Sequence, residues 1–226
     1  MQHEFPGYRI TEQLYLSARS SVERVVRSDD GAAVVLKQPC GAIITAEALR
    51  RVQHEYALLI SLSGPGVVRA HAVVRDAGCA GIVLEDAGSS LAAWLAHHRF
   101  SLAEVVDIGL DLARTLARVH EAGVVHKDIN PNNVMYDPAR RAVTIIDFDL
   151  ASRAQVTATD GVEGTLPYIA PEQTGRLRRV IDGRSDLYSL GATLYELLTG
   201  QPPFEGADEL ALVHAHLATQ PARGAR

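Results

Sequence analysis

The hydrophobic positions of the first hundred residues follow mainly the spacing of β-strands. Short apolar or alternating runs occupy residues 8–16, 22–27, 32–37, 69–76 and 81–86. One segment departs from this pattern, because apolar residues between about Thr45 and Leu62 recur at three- and four-residue intervals. That spacing predicts a helix whose apolar stripe is formed by Ala48, Leu49, Val52, Tyr56 and Leu59.

After Ser90 the pattern changes to helical spacing. The segment SLAEVVDIGLDLARTLARVHEAG begins with a Ser101/Glu104 capping box and ends at Gly123, and SDLYSLGATLYELLTG ends at Gly200. A strand-rich N-terminal part followed by a helical C-terminal part predicts an α+β fold in two lobes with a cleft between them. The segment LEDAGSS, residues 84–90, has the turn residues expected of the connection.

The composition is that of a soluble globular protein, with 226 residues, 47% hydrophobic and 22% charged. A net charge of -5 argues against nucleic acid as the main partner, because phosphate binding favours a basic surface. No apolar run approaches the roughly 18 residues of a membrane span. The segment MQHEFPGYRI lacks the apolar core of a signal peptide, so we expect a cytoplasmic protein.

The cysteines and paired histidines suggest no metal centre. Cys40 and Cys79 are far apart in the chain and lack CxxC spacing, which argues against a disulfide framework or a zinc site. The pairs His97-His98 and His214-Ala-His216 lack helical i, i+4 ligand spacing with a nearby acid, so we interpret them as surface residues.

The segment VVHKDINPNNVMY, residues 124–136, contains the first candidate active-site residues. Its proline excludes a continuous helix, and a hairpin formed by VMY, a DPARR turn and AVTII is predicted directly after Asn133. The returning strand brings Asp147 beside Asn133, and Asp128 lies at the same end of the hairpin. Carboxylate and amide oxygens suit a hard cation such as magnesium that carries phosphates. The alternative is that Asp128 and Asn133 only form turn hydrogen bonds.

A second candidate pair lies in the strand-rich part. Glu55 falls on or beside the apolar stripe of the predicted helix, where a carboxylate needs a cation. Lys37, at the end of the third predicted strand, is one candidate partner. The other is Arg51 at i, i+4, in a surface pair worth about 0.2–0.5 kcal/mol.

Taken in order, these residues form a known signature. They are Lys37, Glu55, His126-Lys127-Asp128 with Asn133, Asp147-Phe148 and Ala170-Pro171-Glu172. With GTLPYIAPEQTGR and SDLYSLGATLYELLTGQPPF, the chain resembles a eukaryotic-type serine/threonine protein kinase over essentially its whole length. It is most similar to the N-terminal kinase modules of large bacterial multidomain signalling proteins. The resemblance implies a single kinase domain with an N-lobe of about residues 1–84, a hinge of about 85–90 and a partial C-lobe of about 91–226, which lacks the later helices of the family.

The resemblance also implies the catalytic roles. Lys37 would hold the α- and β-phosphates of ATP with Glu55 fixing its position, and Asp128 would accept or orient the proton of the substrate hydroxyl. Asn133 and Asp147 would bind Mg²⁺ or Mn²⁺. Asp186 resembles the buried acid that anchors the catalytic loop, and Gly164-Thr165 before Tyr168 resembles the substrate-side loop of serine/threonine kinases.

The nucleotide base and phosphates would be held by the N-lobe and hinge. Leu84 would be the gatekeeper, and the backbone of Glu85 to Ala87 would meet adenine. Aligned on Val22, the three positions of the family's glycine-rich loop are occupied by Tyr15, Ser17 and Ser20. The serine hydroxyls could replace glycine amides as phosphate donors, and Tyr15 could cover adenine.

Three further positions depart from the family pattern. Asn130 replaces a lysine that contacts the γ-phosphate, and Asp149 replaces the glycine after Asp147-Phe148. Lys127 replaces the arginine that binds a phosphorylated loop, which predicts weak dependence on phosphorylation of loop threonines such as Thr157 and Thr159.

The favoured function is ATP-dependent phosphorylation of serine or threonine in a protein substrate, in a chain attached to further signalling domains. The alternative is a pseudokinase that senses nucleotide or serves as a scaffold.

Overall fold

The computed structural model describes residues 4–41, 44–153, 156–157, 162–177 and 179–222. The chain divides into two compact units, Met1–Ala87 and Gly88–Arg226. The boundary between the units falls inside the connection predicted from residues 84–90.

The first unit is built on a five-stranded antiparallel sheet in the order β1-β2-β3-β5-β4. The strands are β1 (Tyr8–Leu16), β2 (Ser20–Arg27), β3 (Ala33–Pro39), β4 (Ala70–Asp76) and β5 (Cys79–Glu85). Each corresponds to a predicted strand, because alternating apolar side chains can bury one face of the sheet. That face carries a core cluster that includes Phe5, Val25, Val34, Leu36 and Val83.

Helix α1 (Ala46–Ser61) matches the predicted helix closely. It begins after the N-cap Thr45, whose side chain accepts a hydrogen bond from the Ala48 backbone N–H. The predicted stripe was incomplete, because Leu58 and Glu55 are also buried. Burial of Glu55 on the apolar face means that a cation must meet it from the sheet.

The described part of the second unit is mainly helical, as predicted. Its helices are α2 (Leu91–Leu95), α3 (Leu102–Glu121), α4 (Gly183–Thr199) and α5 (Glu209–Ala218), with short 3₁₀ turns at Leu166–Tyr168 and Pro171–Thr174. The capping box of α3 forms in both directions between Ser101 and Glu104. Gly123 and Gly200 take positive φ at the ends of α3 and α4, as the helix-stop signals predicted.

Three short antiparallel strand pairs complete the described fold of this unit. They are β6 (Val124–Val125) with β9 (Ser152–Arg153), β7 (Val134–Asp137) with β8 (Ala142–Ile145), and β10 (Val156–Thr157) with β11 (Val180–Ile181). The β7–β8 hairpin is the one predicted after Asn133. The other two pairs and helix α2 were not predicted, since elements this short carry no periodic signal.

One surface assignment was wrong. His216 is buried, contacts Phe204 edge-on and shares a hydrogen bond of 2.8 Å between its Nδ1 and the Tyr188 hydroxyl.

Within the described residues, no helix has the length and hydropathy to cross a bilayer.

Candidate active site

In the first unit, Lys37 and Glu55 form a buried ion pair. The Lys37 Nζ atom donates to both Glu55 carboxylate oxygens, at 2.8 and 2.9 Å. The side chains are only 13% and 4% exposed, so the pair is largely shielded from water. Of the two partners considered for Glu55, the structure pairs it with Lys37, and β3 and α1 are therefore joined by a charge contact.

The hairpin tip between β1 and β2 closes through the side chain of Ser17. Its hydroxyl accepts hydrogen bonds from the backbone N–H groups of Arg19 and Ser20, at 3.2 and 3.0 Å, and donates to the Ser20 carbonyl. The Ser17 hydroxyl therefore closes the hairpin tip in this structure, and its role as a phosphate donor stays a prediction. Tyr15 and Val22 pair across the strands, and the Tyr15 side chain is 58% exposed.

The end of β5 is fixed against neighbouring strands. Leu84 is buried and pairs with Val35, while the backbone N–H of Glu85 donates to the carbonyl of Arg69 at 2.9 Å. Asp86 receives a hydrogen bond of 2.6 Å from the Arg24 side chain, and Ala87 is the last residue of the unit.

In the second unit, Asp128 and Asn133 are in direct contact. The Asn133 Nδ2 atom donates to the Asp128 carboxylate at 2.8 Å and to the Asp128 backbone carbonyl at 2.9 Å. The other carboxylate oxygen accepts from the Thr165 backbone N–H at 2.8 Å. These bonds fix the orientation of a carboxylate that is itself only half-buried. The interpretation as a turn alone is incomplete, because Thr165 is far away in the chain.

Asn130 reinforces the same contact. Its side chain is buried, donates to the Asp128 carbonyl at 3.1 Å and to the Thr165 hydroxyl at 3.2 Å, and accepts from the Asn132 backbone N–H. Where the family pattern has a lysine, this chain therefore has an amide that joins the loop of Asp128 to the loop of Thr165.

Asp186 anchors the backbone that precedes Asp128. Its carboxylate, wholly buried in α4, accepts from the backbone N–H groups of His126 and Lys127 at 2.9 and 2.7 Å. It also lies 2.8 Å from the Nε2 atom of His120 on α3. These contacts hold Lys127 at φ +70°, a conformation that L-residues rarely adopt.

Asp147 lies two residues after the end of the returning strand β8. The backbone N–H of Ile146 donates to the Asn133 carbonyl at 2.9 Å, which places Asp147 next to Asn133 along the hairpin end. Asp147 has φ +61°, and the buried Phe148 packs edge-on against the His126 ring at a centroid distance of 4.6 Å. Asp149 is exposed and its φ is not positive, so a glycine is not required there.

The donor set fits a hard divalent cation. Because the Asn133 amide nitrogen already donates to Asp128, its Oδ1 atom is the one left to coordinate. With the Asp147 carboxylate, this set contains only oxygen, as Mg²⁺ and Mn²⁺ prefer. No group of three or more His, Cys, Asp or Glu side chains suited to a metal occurs among the described residues.

Two contributors to this site escaped the sequence analysis. Gln173, buried after Ala170-Pro171-Glu172, donates to the carbonyls of Lys127 and Glu163 at 2.7 and 2.9 Å. The Glu163 carboxylate also lies 3.7 Å from the Lys127 Nζ atom. Both are contacts between segments distant in sequence, and no local pattern marks them.

The sequence-predicted residues thus form one group in each unit. Those of the first unit are Tyr15, Ser17, Ser20, Val22, Lys37, Glu55, Leu84, Glu85 and Ala87, and those of the second are Asp128, Asn133 and Asp147. The structure brings Lys37 to Glu55, and Asp128 to Asn133 with Asp147 adjoining. Thr159 lies outside the described residues, and only the backbone of Thr157 is described.

Comparison with known proteins finds a matching family model and several similar proteins. A family model described as a protein kinase domain matches residues 9–223. Serine/threonine-protein kinase PknB of Mycobacterium leprae is 38% identical over 122 residues, which cover 52% of this chain and 19% of that protein. A probable serine/threonine-protein kinase of Corynebacterium efficiens is 36% identical over 127 residues, covering 54% of this chain and 19% of that protein. PknB of Mycobacterium tuberculosis is 38% identical over 121 residues, covering 51% and 19%. The chain spans about a fifth of the length of these relatives.

Proposed function

Because this chain belongs to the protein kinase domain family, we propose that it transfers the γ-phosphate of ATP to serine or threonine hydroxyls of a protein substrate. The observation that carries the proposal is the fixed orientation of Asp128 between the Thr165 N–H and the Asn133 amide. A carboxylate held in this way can accept or orient the proton of a hydroxyl without rearranging first.

Each remaining group has a role in this proposal. Lys37, fixed by Glu55, holds the α- and β-phosphates, and the backbone of Glu85 to Ala87 binds adenine beside Leu84. Tyr15, Ser17, Ser20 and Val22 cover the nucleotide. Asn133 and Asp147 hold Mg²⁺ or Mn²⁺, which when bound would offset phosphate charge during transfer.

Two of the departures from the family pattern, Asn130 and Asp149, are compatible with transfer. Asn130 replaces a charge by hydrogen bonds that still position Asp128. Asp149 is exposed, so solvent screens its charge and weakens its repulsion of phosphate.

The test is phosphate transfer from labelled ATP to a generic protein substrate with magnesium or manganese. We expect Asp128→Ala to lower the rate by about a hundredfold or more, as removal of a general base does. The control is Asp29→Ala, in the exposed turn between β2 and β3, which should retain the wild-type rate. Thermal stabilisation by ATP without any transfer would refute the proposal and favour a nucleotide sensor.

We also propose that activity depends only weakly on loop phosphorylation. Lys127, which in the family pattern would be an arginine that meets a phosphate, is already paired with Glu163 of the same chain. The double substitution Thr157→Ala and Thr159→Ala should therefore leave the transfer rate nearly unchanged, while Glu163→Gln should lower it. A large loss in the threonine variant, measured by the same assay, would contradict this prediction.

The setting of the activity is part of the proposal. The relatives are several times longer than the matched segment, which supports further signalling domains attached to this one. The reaction needs ATP and a protein substrate, and because both occur in the cytoplasm we place it there.

A further inference from the structure

The two cysteines lie at the same end of the sheet in the first unit. Cys40 directly follows β3, and Cys79 is the first residue of β5. Both are present as thiols, Cys40 exposed and Cys79 buried, and both line one cavity of about 210 Å³.

The strand register places them opposite each other. β3 and β5 are antiparallel and pair Val35 with Leu84 and Lys37 with Ile82. Continued by three residues, this register pairs Cys40 with Cys79. The strands stay adjacent past the last ladder pair, because a side chain at Gly81 would lie 3.0 Å from the Lys37 carbonyl and 3.4 Å from the Gln38 Cβ, two residues from the cysteines.

The backbone hydrogen bonds define the type of pair. The Cys40 N–H donates to the Arg19 carbonyl, so the backbone of Cys40 points towards β2. The Glu85 N–H donates to the Arg69 carbonyl, so the backbone of Glu85 points towards β4. Cys79 lies six residues earlier in the same strand, and its backbone groups therefore point to the same side. Neither backbone group points at the other cysteine, so the two residues form a non-hydrogen-bonded antiparallel pair.

Such pairs have the geometry that a disulfide needs. Their Cα atoms are about 4.5 Å apart, which is within the roughly 4.4–6.8 Å range of Cα distances in natural disulfides. Their side chains lie on the same face of the sheet. Both cysteines lie on the face of the sheet that carries the core cluster. Cys79 belongs to that cluster with Leu36 and Val83, and Cys40, four residues after Leu36, lies on the same face as Leu36. The Cys40 side chain must rotate away from the Ser17 carbonyl oxygen, which now lies 3.3 Å from its Sγ atom.

We propose that Cys40 and Cys79 form a reversible disulfide when the protein meets a small disulfide oxidant. The exposed Cys40 thiolate attacks the oxidant, forms a mixed disulfide and releases one thiol. The Cys79 thiolate then attacks the Cys40 sulfur and displaces the second thiol. Two protein thiols are oxidised and one oxidant disulfide is reduced to two thiols. Arg19 and Arg51 also line the cavity, and their charges favour an anionic oxidant such as glutathione disulfide.

The experiment is treatment of the reduced native chain with glutathione disulfide, followed by intact mass spectrometry and peptide mapping. We expect the wild-type protein to lose the mass of two hydrogen atoms, to yield a linked Cys40–Cys79 peptide pair and to recover fully with dithiothreitol. Cys79→Ser should stop at a glutathione adduct on Cys40, whereas Cys40→Ser should react more slowly because Cys79 is buried.

Repeating the reaction on unfolded protein tests whether the disulfide forms because the fold holds the two thiols close together. In urea, where the fold no longer holds the two thiols together, glutathione adducts should replace the internal disulfide as the main early product. A stable glutathione adduct on Cys40 of the native wild type, a disulfide between two chains, or no reaction would each overturn the proposal. The outcome does not depend on kinase activity.

Discussion

Gly164 occupies a tight backbone position beside Asp128. Its φ is +124°, and an added Cβ would lie 3.1 Å from the Lys127 carbonyl and 3.3 Å from the Gln173 Nε2 atom. We expect Gly164→Ala to destabilise the fold by about 1–3 kcal/mol and to displace Thr165 from the Asp128 carboxylate. The transfer rate should fall more than the loss of folded protein explains, as measured by kinetics alongside chemical denaturation.

The matched control is Gly31→Ala. Gly31 also has positive φ, +71°, but an added Cβ would meet nothing within 4 Å. This variant should lose stability by about 1–2 kcal/mol without losing activity per folded molecule. Equal activity losses in the two variants would mean that Gly164 has no special role in positioning Thr165.

At the residue scale, chemical identity could be predicted but contact partners could not. Asn130 was identified as a missing lysine, yet its hydrogen bond to Thr165 depends on a loop 35 positions away. Asp149 was identified as an extra charge, yet only the folded backbone determines that it faces solvent. Ser17 was identified as a candidate phosphate donor, yet only the structure shows that its hydroxyl also closes the hairpin tip.

At the scale of elements, α4 supports the loop of Asp128 through Asp186. In Asp186→Asn, the amide group cannot accept hydrogen bonds at both of its ends, so one of the two N–H groups, His126 or Lys127, loses its partner. A buried donor without a partner costs about 1–3 kcal/mol, and Lys127 at φ +70° would be less restrained. We expect both the free energy of unfolding and the transfer rate to fall.

Asp182→Asn provides the comparison at the start of the same helix. Asp182 is the N-cap of α4 and bonds to the exposed Arg184, and asparagine caps helices about as well as aspartate. Denaturation and kinetic assays should therefore find this variant close to wild type. If it lost as much activity as Asp186→Asn, a general weakening of α4 would explain both.

Element boundaries followed the local rules closely. The capping box of α3, the glycines after α3 and α4, and the hairpin after Asn133 all formed where the sequence predicted them. Strands of two residues, such as β6 and β9, have too few residues for a period and exist only because distant segments pair.

For the whole molecule, the packing of α5 predicts acid sensitivity. Burial beside Phe204 and Tyr188 lowers the pKa of His216 from its ordinary value of 6.5. As the pH falls through that value, the unfolded chain takes up a proton before the folded chain does, so stability is lost on the acid side. The melting temperature should fall between about pH 7.5 and about pH 5.5.

His216→Asn removes this titration and should reduce the fall in melting temperature over that interval. His214→Asn, on the exposed side of the same helix, should retain the wild-type pH dependence. Burial also lowers the pKa of His71, so a smaller acid effect should persist in His216→Asn. An unchanged pH dependence in that variant would contradict the assignment.

The sequence by itself determined the order of the elements, the α+β class and the identity of the polar residues in the candidate site. These follow from hydrophobic period, capping residues and residue chemistry, which act over a few positions of the chain. Only the tertiary structure decided which side chains meet. Lys37 rather than Arg51 pairs with Glu55, Asn130 reaches Thr165, and His216 is buried, because each contact depends on how separate segments pack. The register of β3 and β5, from which we infer that Cys40 faces Cys79, is likewise a property of the folded sheet, since strand pairing joins residues that no local pattern connects.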